Sequence, residues 1–121
     1  YSIQIFYYTG VKYIYDESPS FTIIQPAITV TAPNGTESWQ RGTSEDVTWT
    51  STGTVGPVWI ELLKGGAHVD YIARNTANDG SFTWDISAGL AAGSDYKIQV
   101  FYYTGVKYIY DRSNGDFSIT P

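Results

Sequence analysis

The residues best suited to chemistry in this chain are aromatic rings, a few carboxylates and a single histidine. Trp59 and Tyr71, with Trp39, are the types that stack on sugar rings, so Trp59 and Tyr71 are candidate glycan-binding residues. Phe101, Tyr103, Tyr108 and Tyr110 alternate along one short stretch, and Phe6, Tyr8, Tyr13 and Tyr15 repeat the pattern near the start. Alternation at period two places each set of four on one face of a ribbon, a sticky surface suited to an assembly interface. Asp79 and Asp85 flank a predicted strand, and Asp111 and Asp116 flank the turn before the last one, but their spacing lacks the density of a calcium loop, and turn formation accounts for them. His68 follows Gly65-Gly66 without a Ser or Asp pattern that would complete a triad, which predicts a solvated loop histidine. No carboxylate pair stands out for glycoside hydrolysis, so no catalytic residue, metal site or cofactor is assigned and the chain is read as non-enzymatic. Asn34-Gly-Thr36 fits a glycosylation sequon, making Asn34 a candidate modification site.

These residues must be positioned by strands. Helix signals are almost absent, and Ser87–Gly93 is too short and glycine-broken for more than a turn. Alternating runs separated by Gly, Pro, Asn and Asp predict strands near 28–31, 46–50, 58–64, 69–74, 81–85, 96–103, 106–110 and 117–120. Seven or eight such strands imply an all-β, immunoglobulin- or fibronectin-III-like antiparallel sandwich. The predicted core is Val30, Val47, Trp49, Ile60, Leu62, Ile72, Phe82, Trp84, Tyr96, Ile98 and Val100. Thr104-Gly105 is read as a two-residue hairpin turn, which would set Phe101 opposite Tyr108 and Gln99 opposite Tyr110.

The organisation follows from a duplication. Phe6–Asp16 and Phe101–Asp111 are identical, and Tyr1, Ile3, Gln4, Phe21 and Pro26 recur as Tyr96, Ile98, Gln99, Phe117 and Pro121. A period of about 95 residues is domain-sized. Residues 27–121 then form one complete sandwich repeat. Residues 1–26 are the terminal hairpin and strand of a preceding repeat, or an exchangeable donor segment. Proline in the Ile24–Ala27 linker would hold consecutive repeats in a restricted orientation.

Composition narrows the function classes. The net charge is −5 and only 16% of residues are charged, so the basic footprint of nucleic-acid binding is missing. No apolar run approaches transmembrane length in this window. With no cysteine, disulfides and thiol chemistry are excluded.

Five segments carry a family resemblance: Ile28-Thr-Val-Thr-Ala-Pro-Asn-Gly-Thr-Glu-Ser-Trp-Gln-Arg-Gly42, Val47-Thr-Trp49, Ile60-Glu-Leu-Leu-Lys-Gly-Gly66, Asn78-Asp-Gly-Ser-Phe-Thr-Trp84 and Gly93-Ser-Asp-Tyr-Lys-Ile98. In this order they resemble the repeat of the Ser/Thr-rich glycosylphosphatidylinositol-anchored membrane family, related to yeast proteins of cell-wall glucan assembly. Bacterial and archaeal surface proteins carry similar repeats in tandem. The resemblance implies an immunoglobulin-like sandwich, an extracellular or cell-surface setting and no known catalytic residues. It breaks down at the C-terminal end, where a polar Ser/Thr-rich stretch is expected and this chain has its aromatic hairpin. The expectation is therefore a structural, non-enzymatic surface or fibre module. Its partners would be copies of itself or adjacent repeats, with cell-wall or extracellular polysaccharide as the alternative ligand.

Overall fold

The computed structural model describes residues 25–53 and 55–121 in full, and residues 4–8 and 13–17 as strands. The first two strands, β1 (Gln4–Tyr8) and β2 (Tyr13–Glu17), pair antiparallel with Phe6 opposite Tyr15 and Tyr8 opposite Tyr13. The side chains of Phe6, Tyr8, Tyr13 and Tyr15 lie outside the described residues.

Two sheets follow. One comprises β3 (Ala27–Ala32), β5 (Ser44–Thr52) and β8 (Ser81–Asp85), in the order β3-β5-β8. The other runs β4-β11-β9-β6-β7, from β4 (Ser38–Gln40), β11 (Phe117–Thr120), β9 (Gly93–Tyr103), β6 (Val58–Lys64) and β7 (Ala67–Thr76). Strand β10 (Tyr108–Arg112) pairs with the C-terminal half of β9, and β11 pairs with its N-terminal half. All pairings are antiparallel except β4 with β11, which is parallel. This is the β-sandwich that the alternation predicts.

Period two explains the core. Val30, Val47, Trp49, Ile60, Leu62, Trp84, Tyr96, Ile98 and Val100 are buried as expected, while Ile72 and Phe82 are half-buried against them. Ile28, Val58, Ile86, Ile109, Phe117 and Ile119 complete the packing. Burial of each large side chain contributes roughly 1.5–3 kcal/mol. Trp49 also satisfies its indole N–H, donating to Asn78 Oδ1 at 2.7 Å.

Strand β4 is not announced by alternation, because it is three residues long and held from outside by its parallel partner. The β9–β10 turn also differs from expectation. It is a four-residue loop, Thr104–Lys107, rather than a two-residue one, so Tyr103 pairs with Tyr108, Phe101 with Tyr110 and Gln99 with Arg112. The Thr104 hydroxyl accepts the N–H groups of Val106 and Lys107, and Gly105 takes φ +97°, which costs glycine little. The shift is two residues, so every side chain keeps its predicted face.

The edge where the sheets meet is pinned by polar contacts. Val30 N–H donates to Asp111 Oδ2 at 2.8 Å. Ser113, buried between β10 and β11, donates its hydroxyl to the Pro33 carbonyl at 2.7 Å and accepts the Ile98 N–H at 3.0 Å. Beside it the backbones of Gly35 and Gly115 touch. A Cβ on Gly35, itself at φ +137°, would lie 3.0 Å from Gly115 Cα, so side chains are excluded there.

Candidate functional site

The outer face of the β10-β9-β6-β7 region gathers residues that the sequence places in separate hypotheses. Cross-strand register sets Trp59 (β6) beside Phe101 (β9) and Phe101 beside Tyr110 (β10). The Trp59 and Phe101 rings stack, with centroids 6.1 Å apart and planes 24° from parallel. Tyr71 meets Trp59 edge-on at 5.3 Å, and Tyr108 meets Phe101 edge-on at 5.8 Å. Tyr103 and Tyr108 approach to 4.7 Å. Edge-to-face and offset contacts of this kind contribute roughly 0.5–1.5 kcal/mol beyond area burial. The candidate glycan residues and the C-terminal aromatic quartet are thus one platform.

A polar row runs alongside it. Register places Tyr71, Glu61, Gln99 and Arg112 across four strands. Gln99 Nε2 donates to Glu61 Oε1 at 3.1 Å, and Arg112 Nε donates to Gln99 Oε1. His68 Nδ1 lies 2.7 Å from Glu61 Oε2, with its ring 4.8 Å from that of Tyr71. Both rows border a groove of about 630 Å³. Asn75, at φ 52°, stands on its rim, a left-handed conformation that Asn tolerates well. Tyr103, Tyr108 and Tyr110 remain 50–60% exposed, so the platform is open to a partner. Ring faces beside amide, carboxylate and guanidinium groups can stack on a flat, hydroxyl-rich ligand while hydrogen-bonding its edges.

Other candidates are placed elsewhere. Trp39 does not join Trp59 and Tyr71. It sits on β4, half-buried, 5.7 Å from the Phe117 ring and 6.3 Å from Trp84, because β4 is captured by β11 and turns its tryptophan toward the core. His68 lies in β7 rather than in a loop, since β7 begins directly after the glycine turn. Each aspartate has its own partner: Asp79 accepts the Ser81 N–H, Asp85 the Ser44 hydroxyl and Asp111 the Val30 N–H, while Asp116 pairs with Lys97. Among the described residues no three His, Asp or Glu side chains converge as metal ligands. Asn34 lies in the turn after β3, half-buried, its Oδ1 accepting the Asn114 N–H at 2.7 Å.

Glu61, Gln99, Arg112 and Asn75 were invisible as site residues in the sequence. Polar positions alternating with core residues are ordinary in strands. Only the β6–β9–β10 register, joining positions 38 and 13 residues apart, shows that Glu61, Gln99 and Arg112 line up.

Among the described residues no helix is long and apolar enough to cross a membrane. A search of curated proteins found no match. A family profile, described as the Kre9/KNH-like N-terminal Ig-like domain, matches residues 32–118, covering β4 through the first half of β11 and the whole groove. The chain therefore belongs to the Kre9/KNH-like N-terminal Ig-like domain family.

Proposed function

We propose that this chain is a non-catalytic module of a cell-wall-associated, extracellular protein, and that its groove holds a segment of polysaccharide. Family membership supports the cell-wall setting. The observation that carries the glycan reading is the adjacency of two rows on one open face, Trp59–Phe101–Tyr110 and Glu61–Gln99–Arg112. Neighbouring strands are about 4.8 Å apart, so each row offers successive contacts at strand spacing along an extended, repetitive ligand. Rings supply sequence-tolerant stacking, and the polar row supplies hydroxyl recognition. Residues 1–26 fit the end of a preceding repeat, which would place such modules in tandem, with Pro26 stiffening the junction.

The test is electrophoresis through gels containing a soluble β-glucan, with mannan and galactan as comparison polysaccharides. Wild type is expected to be retarded by at least one of them. Trp59→Ala and Phe101→Ala should migrate freely while keeping a native near-ultraviolet CD spectrum. Wild-type migration unaffected by every polysaccharide would sink the reading.

A second reading is favoured by the exposure of Tyr103, Tyr108 and Tyr110, which is high for clustered aromatics. In it, copies of the chain associate face to face through the same platform, building a surface fibre. Sedimentation equilibrium separates the two. Concentration-dependent mass that vanishes when Phe101, Tyr103, Tyr108 and Tyr110 are changed to Ser, without glycan retardation of the wild type, selects assembly.

A further inference from the structure

The polar row beside the groove uses its acceptors internally and leaves donors over. Glu61 engages both carboxylate oxygens within the row, Oε1 with Gln99 Nε2 at 3.1 Å and Oε2 with His68 Nδ1 at 2.7 Å. Its side chain is only 14% exposed. Gln99 Oε1 accepts from Arg112 Nε. Every side-chain acceptor oxygen of Glu61 and Gln99 thus already meets a nitrogen of the row. What remains is N–H. Arg112 commits Nε, and among the described residues its two terminal nitrogens have no hydrogen-bond partner. Gln99 Nε2 has a second N–H beyond the one given to Glu61.

Arg112 stands apart from the other cations among the described residues. Lys64 and Lys97 are paired with Asp95 and Asp116. Arg41 donates to the Leu90 carbonyl, and the Arg74 guanidinium lies over the Tyr71 ring, 4.9 Å from its centroid. Lys107 sits on the exposed β9–β10 loop, outside the groove lining. Arg112 is exposed and lines the groove. Its bond to Gln99 restrains the guanidinium plane, and the two terminal nitrogens form the edge of the fork that fits both oxygens of a carboxylate. Tyr110 and Arg112 are successive outward positions of β10, about 7 Å apart along the strand. A sugar ring held on Tyr110 can therefore set an exocyclic carboxylate within reach of Arg112.

We infer that the groove takes an acidic polysaccharide, with a uronic acid carboxylate gripped by the terminal N–H groups of Arg112 while neighbouring sugars stack on the aromatic row. The inference rests on the glycan reading of the groove and adds the charge of the ligand to it. Overall charge works against such a ligand, because a chain of net charge −5 repels a polyanion. A preference for the acidic form then reports a local contact and not general attraction.

The experiment compares one sugar backbone in two charge states. Each neutral polysaccharide that retards the wild type is partly oxidised at its primary alcohols to carboxylates. Both forms are titrated into the full chain by isothermal titration calorimetry at constant ionic strength. The wild type should bind the oxidised form about three- to tenfold more tightly, the scale of an exposed bidentate pair with a charged acceptor. Arg112→Gln should bring the ratio of the two affinities to one or below, whatever its effect on the neutral form. Arg112→Lys, which keeps the charge without the fork, should recover part of the ratio. Lys107→Gln removes the same charge from the adjoining loop and should leave the ratio as in the wild type. The inference is overturned, with the glycan reading still standing, if the wild type binds the neutral form at least as tightly as the oxidised one. It is equally overturned if the preference survives Arg112→Gln or is abolished by Lys107→Gln. Absence of binding to any neutral polysaccharide sinks the glycan reading and this inference with it.

Discussion

Strand β9 presents opposite environments on its two faces. Toward the β3-β5-β8 sheet, Tyr96, Ile98 and Val100 are fully sealed from water. Toward solvent, Gln99 and Phe101 are half-buried and Tyr103 is half-exposed, although Phe101 and Tyr103 are of the same types as Phe117 and Tyr96 inside. A residue's position in the alternation, more than its type, decides whether it is sealed in the core or left facing solvent. Inner rings are enclosed by a second sheet, whereas the outer ones are covered only by one another.

That contrast predicts graded outcomes. Ile98→Ala, on the sealed face, should lose about 2–5 kcal/mol of stability in urea denaturation, because the rigid surroundings cannot refill the void. A loss below that of Phe101→Ala would erase the distinction between the faces. Ser113→Ala, at the sheet junction, should cost about 1–3 kcal/mol, since the Ile98 N–H and the Pro33 carbonyl each lose their hydroxyl partner inside the protein. Phe101→Ala should cost about 1 kcal/mol, the scale of an aromatic pair, and register mainly in partner binding.

The smallest effect concerns pH. Burial pulls the Glu37 carboxyl upward, but the N–H groups of Asn34, Gly35 and Thr36 converge on it, and with its own N–H they hold it below the ordinary carboxylate range. A depressed folded value means the carboxylate favours the folded state above its unfolded value, and that contribution fades as pH falls through the folded one. Glu37→Gln should therefore be less stable than wild type at neutral pH, and the gap should close on acidification. A gap constant from neutral to acid pH would remove the assigned role.

Much of the inner face was legible beforehand. Strands at 58–64, 81–85 and 117–120 fall where alternation puts them, because each is bounded by strong turn residues. The outer site was legible only in pieces. Trp59, Tyr71 and the tyrosine ribbon are conspicuous by type, yet their union depends on β9 lying between β6 and β10, a long-range fact with no local signature. Trp39 misleads for the same reason. Its type suggests a sugar platform, and only the parallel capture of β4 by β11 turns it toward Phe117. The hairpin turn misleads locally, since a Thr hydroxyl can close a four-residue loop that a Thr-Gly pair does not advertise.

The parallel pairing of β4 with β11 has a mechanical consequence. Ser118 N–H donates to the Glu37 carbonyl and Arg41 N–H to that of Thr120, so the first strands of the sandwich are laced to its last one. Tension applied at the two ends of the sandwich pulls β4 and β11 in opposite directions along their length. The lacing is then loaded in shear, all bonds together, instead of being unzipped one at a time. Resistance to stretching is set by how fast that patch yields rather than by equilibrium stability, and a module hung in series would bear strain through three short residues of strand.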